Sequence, residues 1–281
     1  MEWKGRRRST NIEDRRRGPP RGTAAGTGGL GLLAILAIGW FLGVDVSPLL
    51  EETARPEPPS AEISAADREA GEFVAVVLAD TEVIWSEIFE AQLGRRYTPT
   101  TLVLYEGVTQ SACGGASGAT GPFYCPGDRR IYLDTDFFVT LDRRLGAGGD
   151  FAAAYVVAHE VAHHVQDELG VLSQANAVRE RVSAAESNAI SVMIELQADC
   201  YSGIWARYAD ARLGTLERGD IAEAVNAAKQ IGDDTLQRNA GRVPMPHTFA
   251  HGTSNQRQRW FARGYETGDL AACDTFAREI P

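Results

Sequence analysis

Hydrophobic positions divide the chain into a polar start, one long apolar stretch and a region with mostly helical spacing. Residues 23–46 form the apolar stretch, and its core at residues 30–44 contains no charged side chain. With its small flanking residues the stretch reaches about the 20 residues that a membrane-spanning helix needs. A cleaved signal peptide is the alternative, but no small-x-small cleavage site follows closely. The pattern therefore predicts one transmembrane anchor at residues 23–46.

Charge on either side of this stretch predicts its orientation. Residues 1–22 carry eight Lys or Arg against three acids, and basic flanks stay on the cytoplasmic side. The sequence thus predicts a basic cytoplasmic segment at 1–22, an anchor in the inner membrane in contact with lipid, and an extracytoplasmic remainder. Gly39 and Gly43 form a GxxxG that would allow a homodimer, although many anchors are rich in glycine without pairing.

Beyond the anchor, a proline-rich linker at residues 47–62 precedes a domain at residues 63–281. The chain has a net charge of −10, of which residues 1–22 contribute +5 and the remainder −15. An acidic domain repels nucleic acid, so we expect no nucleic-acid partner.

Within the domain, apolar spacing predicts mainly helices. An apolar stripe from Phe73 to Ile88 predicts a helix over about 64–92, and a second long helix is predicted over about 178–208. Residues 101–105 and 130–133 read as short strands on either side of a glycine-rich loop. The predicted fold class is therefore α+β, predominantly helical with a small β-sheet, preceded by one transmembrane helix.

The strongest chemical signal is the pentad His159-Glu160-Val161-Ala162-His163, which follows an apolar, alanine-rich run. On a helix, positions i and i+4 share one face, so His159 and His163 can present two nitrogens to one metal ion. Glu160 lies about 100° round the helix, close to water on such a metal, where a general base is needed. Buried imidazoles without partners would be unfavourable, and metal ligation removes that penalty.

A catalytic zinc needs a third protein ligand from another element. Glu195 is the best candidate, because it lies in the second predicted long helix beside apolar positions. Asp199, one turn later, could accept the outer N–H of a zinc-bound histidine. The alternative is an ordinary solvated helix face that carries two carboxylates.

The pentad followed by Glu195-Leu196-Gln197-Ala198-Asp199 resembles the gluzincin branch of the zinc metallopeptidases. Nearly end to end, the chain is similar to the bacterial neutral zinc metallopeptidases anchored in the inner membrane. This resemblance implies a zincin-like domain with one Zn²⁺ per chain, held by His159, His163 and Glu195, and Glu160 as the catalytic carboxylate. The other matching segments are residues 3–7, 11–16, 121–126, 164–166 and 251–261.

A second catalytic group is expected to stabilise the oxyanion that forms at the attacked carbonyl. His251 is our prediction, because it stands just before a helix that begins near residue 253. His247, Tyr201 and Tyr124 stay open as alternatives. His164 points elsewhere on its helix and is interpreted as structural.

Four cysteines in an extracytoplasmic domain predict two disulfides. Cys113 and Cys125 bracket one loop, which leaves Cys200 to pair with Cys273. Sequence alone leaves the other two pairings open, and four reduced thiols in a cytoplasmic domain are the competing interpretation.

These observations predict a membrane-anchored zinc metallopeptidase, an endopeptidase acting on a peptide or protein substrate. A zinc amidase acting on cell-wall peptides would use similar chemistry. A non-catalytic envelope scaffold with structural zinc is the third class, and Glu160 argues against it because a structural site has no use for a base.

Overall fold

A computed structural model describes residues 1–16, 63–117 and 121–277 of the 281-residue chain. The predicted anchor at 23–46 and the linker at 47–62 lie outside the described residues. Within those described residues, no helix is both long and apolar enough to cross a membrane. Residues 1–14 and 65–281 form one compact unit, and residues 15–64 are assigned to another. The fold below is that of the first unit.

Helices make up most of this unit, as the sequence predicts. The eight α-helices of the described residues are α1 (Ala65–Ile88), α2 (Asp136–Arg143), α3 (Asp150–Glu168), α4 (Val171–Arg179), α5 (Ala184–Tyr208), α6 (Asp220–Gln230), α7 (Asp233–Asn239) and α8 (Ser254–Thr267). Two π-helical turns, Phe89–Leu93 and Ala209–Leu213, continue α1 and α5, and glycine in the left-handed region ends each of them. Short 3₁₀ turns occur at Pro246–Thr248 and Leu270–Cys273.

The strands form a small mixed sheet and a separate hairpin. They are β1 (Ile12–Asp14), β2 (Thr101–Tyr105), β3 (Val108–Ser111), β4 (Gly114–Ser117), β5 (Phe123–Cys125) and β6 (Arg130–Asp134). The sheet order is β1-β2-β6-β5, with β5 antiparallel to β6 and the other pairs parallel, while β3 and β4 pair with each other. The α+β class, mostly helical with a small sheet, is confirmed.

Two details of the predicted elements are wrong. The helix predicted over about 178–208 is present but begins later, at Ala184. Ser183 starts it with a capping box, in which the Ser183 side chain accepts the backbone N–H of Glu186 and the Glu186 side chain accepts that of Ser183. Such reciprocal capping begins a helix rather than continuing one. The loop predicted between the two strands contains a hairpin and the strand β5.

Helices α5 and α8 pack unusually closely, and two glycines explain how. A Cβ atom at Gly264 would lie 1.8 Å from the carbonyl oxygen of Cys200, and one at Gly203 would lie 2.0 Å from that of Phe261. No side chain fits at either position without moving a backbone. This contact fixes the second half of α8 against the middle of α5, close to Asp199.

Residues 1–14 belong to the same unit as the predicted catalytic domain. Trp3 packs edge-on against Phe73 of α1, with ring centroids 5.4 Å apart, and Arg6 forms a two-pronged ion pair with Asp80 at 2.9 and 3.0 Å. The amino group of Met1 lies 2.7 Å from Asp150 at the start of α3. The structure therefore adds β1 and its flanking residues to the domain that the sequence predicts at 63–281.

Both preferred disulfides are present. Cys113 bonds to Cys125, and Cys200 bonds to Cys273, and the described residues contain no free cysteine. The second bridge ties α5, the helix that carries Glu195, to the 3₁₀ turn near the C-terminal end of the described chain.

Candidate metal centre

Three predicted ligands converge from two helices. Helix α3 carries His159 and His163 one turn apart, and α5 carries Glu195 opposite them. The Nε2 atom of His159 lies 3.1 Å from Glu195 Oε2, and the Nε2 atom of His163 lies 3.4 Å from Glu195 Oε1. One donor atom from each of the three side chains falls within 4.8 Å of the others.

These separations fit a zinc ion. Tetrahedral coordination with zinc–ligand bonds of about 2.0–2.1 Å places neighbouring donor atoms about 3.3–3.4 Å apart. The two distances, each to a different oxygen of Glu195, are similar to this value. The set of two imidazoles and one carboxylate is typical of catalytic zinc with an open fourth position.

A glutamine orients His163. Its Nδ1 atom lies 2.9 Å from Gln166 Oε1. The amide NH₂ group of Gln166 donates to Ile194 O at 2.8 Å and to Gln197 Oε1 at 3.0 Å, which fixes Oε1 as the atom that faces the imidazole. Because Nδ1 therefore carries the proton, the lone pair of Nε2 points to the metal position.

A buried carboxylate lies behind His159. Asp199, which is 0 % exposed, places Oδ1 3.1 Å from His159 Nδ1, although the contact is off the line of a straight hydrogen bond. Tyr155 OH donates to the same oxygen at 2.5 Å, and Arg257 donates to both oxygens at 2.8 and 2.9 Å. The network leaves His159 Nε2 facing the metal position.

The charges of this cluster favour a cation between the imidazoles. Burial by itself lowers the pKa of His159, but Asp199 and Glu195 together raise it to about 9. Burial opposes ionisation of Glu195, yet His163 and His159 hold its pKa well below the usual range. Glu195 is therefore an anion at neutral pH, and the positive charge that the site attracts can come from protons or from a divalent metal.

Glu160 lies next to the metal position but outside the ligand set. Its side chain lines the same cleft as the three ligands, and no donor in residues 1–16, 63–117 and 121–277 hydrogen bonds its carboxylate. Burial raises the pKa of Glu160, an effect that His163 and His159 oppose. A carboxylate with a raised pKa and free lone pairs suits proton transfer near neutral pH.

His251 faces the cleft from the loop before α8. Its Nδ1 atom lies 3.1 Å from Asp233 Oδ1. The other oxygen of Asp233 accepts the backbone N–H groups of residues 250, 251 and 252 at 2.7, 2.6 and 3.1 Å, which fixes the loop. The hydrogen bond to Asp233 raises the pKa of His251. With Nδ1 engaged, Nε2 is left to donate into the cleft.

The alternative donors are placed less suitably. Tyr201 is buried against Trp85 and lines a different cavity. Tyr124 reaches the cleft, but its hydroxyl donates to Asp167 at 3.0 Å. His247 does not line the cleft. His164 is buried, with Nε2 2.7 Å from the carbonyl oxygen of Thr98, which agrees with a structural role.

The metal position opens into a cleft of about 500 Å³. Apolar side chains cover much of its wall, and examples are Phe123, Phe137, Val156, Leu172, Ile231 and Leu236. This volume is typical of sites that enclose small molecules or short peptide segments.

Sequence reasoning gave no role to four residues of the site: Tyr155, Gln166, Asp233 and Arg257. Tyr155 lies one turn before His159 on the same face of α3, so helical spacing could have found it. Asp233 and Arg257 reach the site only through the tertiary contacts of the loop before α8 and of α8 itself. Arg257 lies in the segment 251–261 that resembles the family, but no local spacing gives either residue a role.

Comparison with known proteins gives one family and several relatives. The profile of the family described as "Putative neutral zinc metallopeptidase" matches residues 1–276. The uncharacterized protein YpfJ of Escherichia coli K12 is 44% identical over 292 aligned positions, which cover 100% of both chains. The uncharacterized protein Rv2575 of Mycobacterium tuberculosis is 44% identical over 191 positions, or 64% of each chain. No solved structure gives a significant match.

Proposed function

The chain belongs to the putative neutral zinc metallopeptidase family, and from that premise we propose that it is a membrane-anchored zinc endopeptidase with Glu160 as general base. One observation carries the proposal: His159, His163 and Glu195 bring their donor atoms within 4.8 Å of one another at the wall of an open cleft. One zinc ion per chain fits this donor set. The substrate is a peptide or a protein.

When bound, zinc supplies a Lewis acid that activates water and polarises a peptide carbonyl. Glu160 accepts the proton from the attacking water and passes it to the departing amine. His251, protonated and held by Asp233, donates Nε2–H to the oxygen that gains negative charge during attack. Asp199 and Gln166 keep the two imidazoles in the orientation that leaves each Nε2 free.

The position of Glu160 also supports a catalytic zinc site over a purely structural one. A structural site is closed by four protein ligands, whereas the described residues here offer three together with a carboxylate that no protein donor occupies. An oxyanion donor at His251, which lines the same cleft, would have no role in a scaffold.

We further propose that the domain works outside the cytoplasm. Its support is the pair of disulfides, because such bonds persist in oxidising compartments. Anchoring through residues 23–46, contact with lipid there, homodimerisation and the absence of a nucleic-acid partner stay predictions. Residues 1–14 pack in the same unit as the domain, and a single crossing between them would separate the two. We therefore expect residues 1–14 on the side of the domain, in place of the predicted cytoplasmic side, so that residues 23–46 would hold the protein at the membrane without the single crossing that the sequence predicts.

Metal removal and restoration test the proposal. The full-length chain in detergent should contain about one zinc and hydrolyse labelled casein, and activity should disappear on chelation and return with zinc. Glu195→Ala should lose both zinc and activity, while Glu180→Gln, a control at an exposed residue that does not line the cleft, should keep both. Activity in the zinc-free chain, or a full complement of zinc in Glu195→Ala, would contradict the assignment.

A further inference from the structure

Among the described residues that line the cleft beside the metal position, one charged group is used neither by the metal site nor by the catalytic steps. This group is Arg179, the last residue of α4. Leu172, Asn176 and Arg179 all line the cleft, and their spacing of i, i+4 and i+7 places them on one face of the helix. Along this face of α4 the side chains change from apolar Leu172 to the amide of Asn176 and then to cationic Arg179, over a helix length of about 10 Å.

The second arginine of the cleft, Arg257, differs in its environment. Arg257 is 2 % exposed, and Asp199 neutralises it through two hydrogen bonds. Its guanidinium is committed to the network behind His159. It therefore supports the metal site, and its charge is already balanced.

Within the described part of the chain, the hydrogen-bond partners of Arg179 are all neutral. Its Nε atom donates to Ser187 Oγ at 3.2 Å, and Nη1 donates to Asn176 Oδ1 at 3.1 Å. Throughout the described residues, no carboxylate oxygen lies within 4.0 Å of this guanidinium. The two bonds hold the group between the end of α4 and the start of α5, and the Nη2 hydrogens have no protein acceptor there.

We propose that Arg179 binds a carboxylate of the substrate, and so determines specificity for peptides that carry a negative charge near the scissile bond. A guanidinium fork matches a carboxylate in two parallel hydrogen bonds, which gives both energy and direction. The two hydrogen bonds to neutral partners orient the fork without satisfying its charge. The carboxylate comes from an acidic side chain or from the C-terminus of the peptide. This inference rests on the proposed peptidase function and adds its substrate class.

Binding to a non-hydrolysing form tests the inference independently of turnover. The full chain with Glu160→Gln, loaded with zinc, is titrated with fluorescein-labelled octapeptides of Ala and Leu that carry a single Glu or Gln. The Glu moves along the peptide, and each peptide is made with a free and with an amidated C-terminus. We expect at least one Glu peptide, or the free-acid series, to bind about 10- to 100-fold more tightly than its neutral partner, as hydrogen bonds to charged groups allow.

Variants of Arg179 decide whether this residue is responsible. In the same background Arg179→Gln should remove the preference for the carboxylate, and Arg179→Lys should keep part of it. Arg181→Gln, an exposed arginine two residues away that does not line the cleft, should leave the preference intact. Equal binding of Glu and Gln peptides at every position and at both termini, or a preference that survives Arg179→Gln, would overturn the inference.

Hydrolysis of the same octapeptides by the unsubstituted chain distinguishes a failure of the specificity proposal from a failure of the peptidase proposal. If it cleaves the octapeptides without any preference for the charged members, the specificity proposal fails and the peptidase proposal stands. If it cleaves no peptide while the Glu160→Gln form binds the charged members through Arg179, the carboxylate site stands and the peptidase proposal fails.

Discussion

Asp199→Asn removes the carboxylate on which the buried side of the metal centre depends. Asp199 is 0 % exposed, contacts His159 Nδ1 at 3.1 Å, and receives two hydrogen bonds from Arg257 at 2.8 and 2.9 Å. The substitution leaves the buried guanidinium with one more distant anion, Glu195, whose Oε2 atom lies 3.9 Å from Arg257 Nη2. Loss of one partner of a buried ion pair destabilises a protein by about 3–5 kcal/mol. Loss of the carboxylate behind a zinc-bound histidine weakens metal binding by about 10- to 100-fold.

Two assays on the full chain separate these effects. Urea unfolding in the presence of a chelator gives the free energy of unfolding without a contribution from metal binding. Competition with a chromophoric chelator gives the dissociation constant for zinc. In the double variant Asp199→Asn/Arg257→Met the unpaired charge is gone, so we expect much of the stability to return while zinc binding stays weak.

Asp142→Asn is the matched control, because Asp142 is exposed and does not line the cleft. If Asp199→Asn unfolds and binds zinc as this control does, Asp199 neither balances Arg257 nor supports His159. If the double variant stays as unstable as the single one, the unpaired guanidinium is not the cause of the loss.

Three further predictions follow from the site, the disulfides and the N-terminal segment. His251→Gln should lower kcat about 100- to 1000-fold with zinc retained. Since only protonated His251 donates, the kcat of the unsubstituted chain should fall as the pH rises through the raised pKa of His251, and the variant should not show this fall. Replacing Cys200 and Cys273 by Ser should reduce the free energy of unfolding by about 4 kcal/mol in the chain-entropy model, and an unchanged urea midpoint would contradict it. A membrane-impermeant maleimide should label Arg8→Cys and Val243→Cys, two exposed sites, from the same side of the membrane; labelling from opposite sides would restore the single crossing that the basic segment predicts.

Sequence patterns predicted the helices and strands that have a recognisable spacing or run of apolar residues. Helix α1 was found from its apolar spacing, and strand β2 was found from the short apolar run Leu102–Tyr105, whose side chains are all buried. Strand β1 was missed, since Ile12-Glu13-Asp14 contains one apolar residue and pairs only because β2 is available beside it. The break before α5 was missed although Ser183 and Glu186 have the spacing of a capping box.

The residues of the candidate site also divide into those that local spacing predicts and those that only tertiary contacts bring together. Residues four apart on one helix, such as His159 and His163, follow from the sequence. Glu195 could be proposed from its surroundings, since its helix is identifiable. Arg257 lies 58 residues from Asp199 and meets it only because Gly203 and Gly264 let two helices pack closely, and such a contact has no signal in the local sequence.

The most direct test of the central claim is the zinc content and peptidase activity of Glu160→Gln, measured on the same preparation. The account predicts that the variant keeps about one zinc per chain, because Glu160 is not a ligand, and that kcat on labelled casein falls about 100- to 10,000-fold, because the general base is lost. Glu180→Gln should match the unsubstituted chain in both measurements. A Glu160→Gln variant that hydrolyses casein at the original rate, or one that loses its zinc, would contradict the role assigned to this carboxylate.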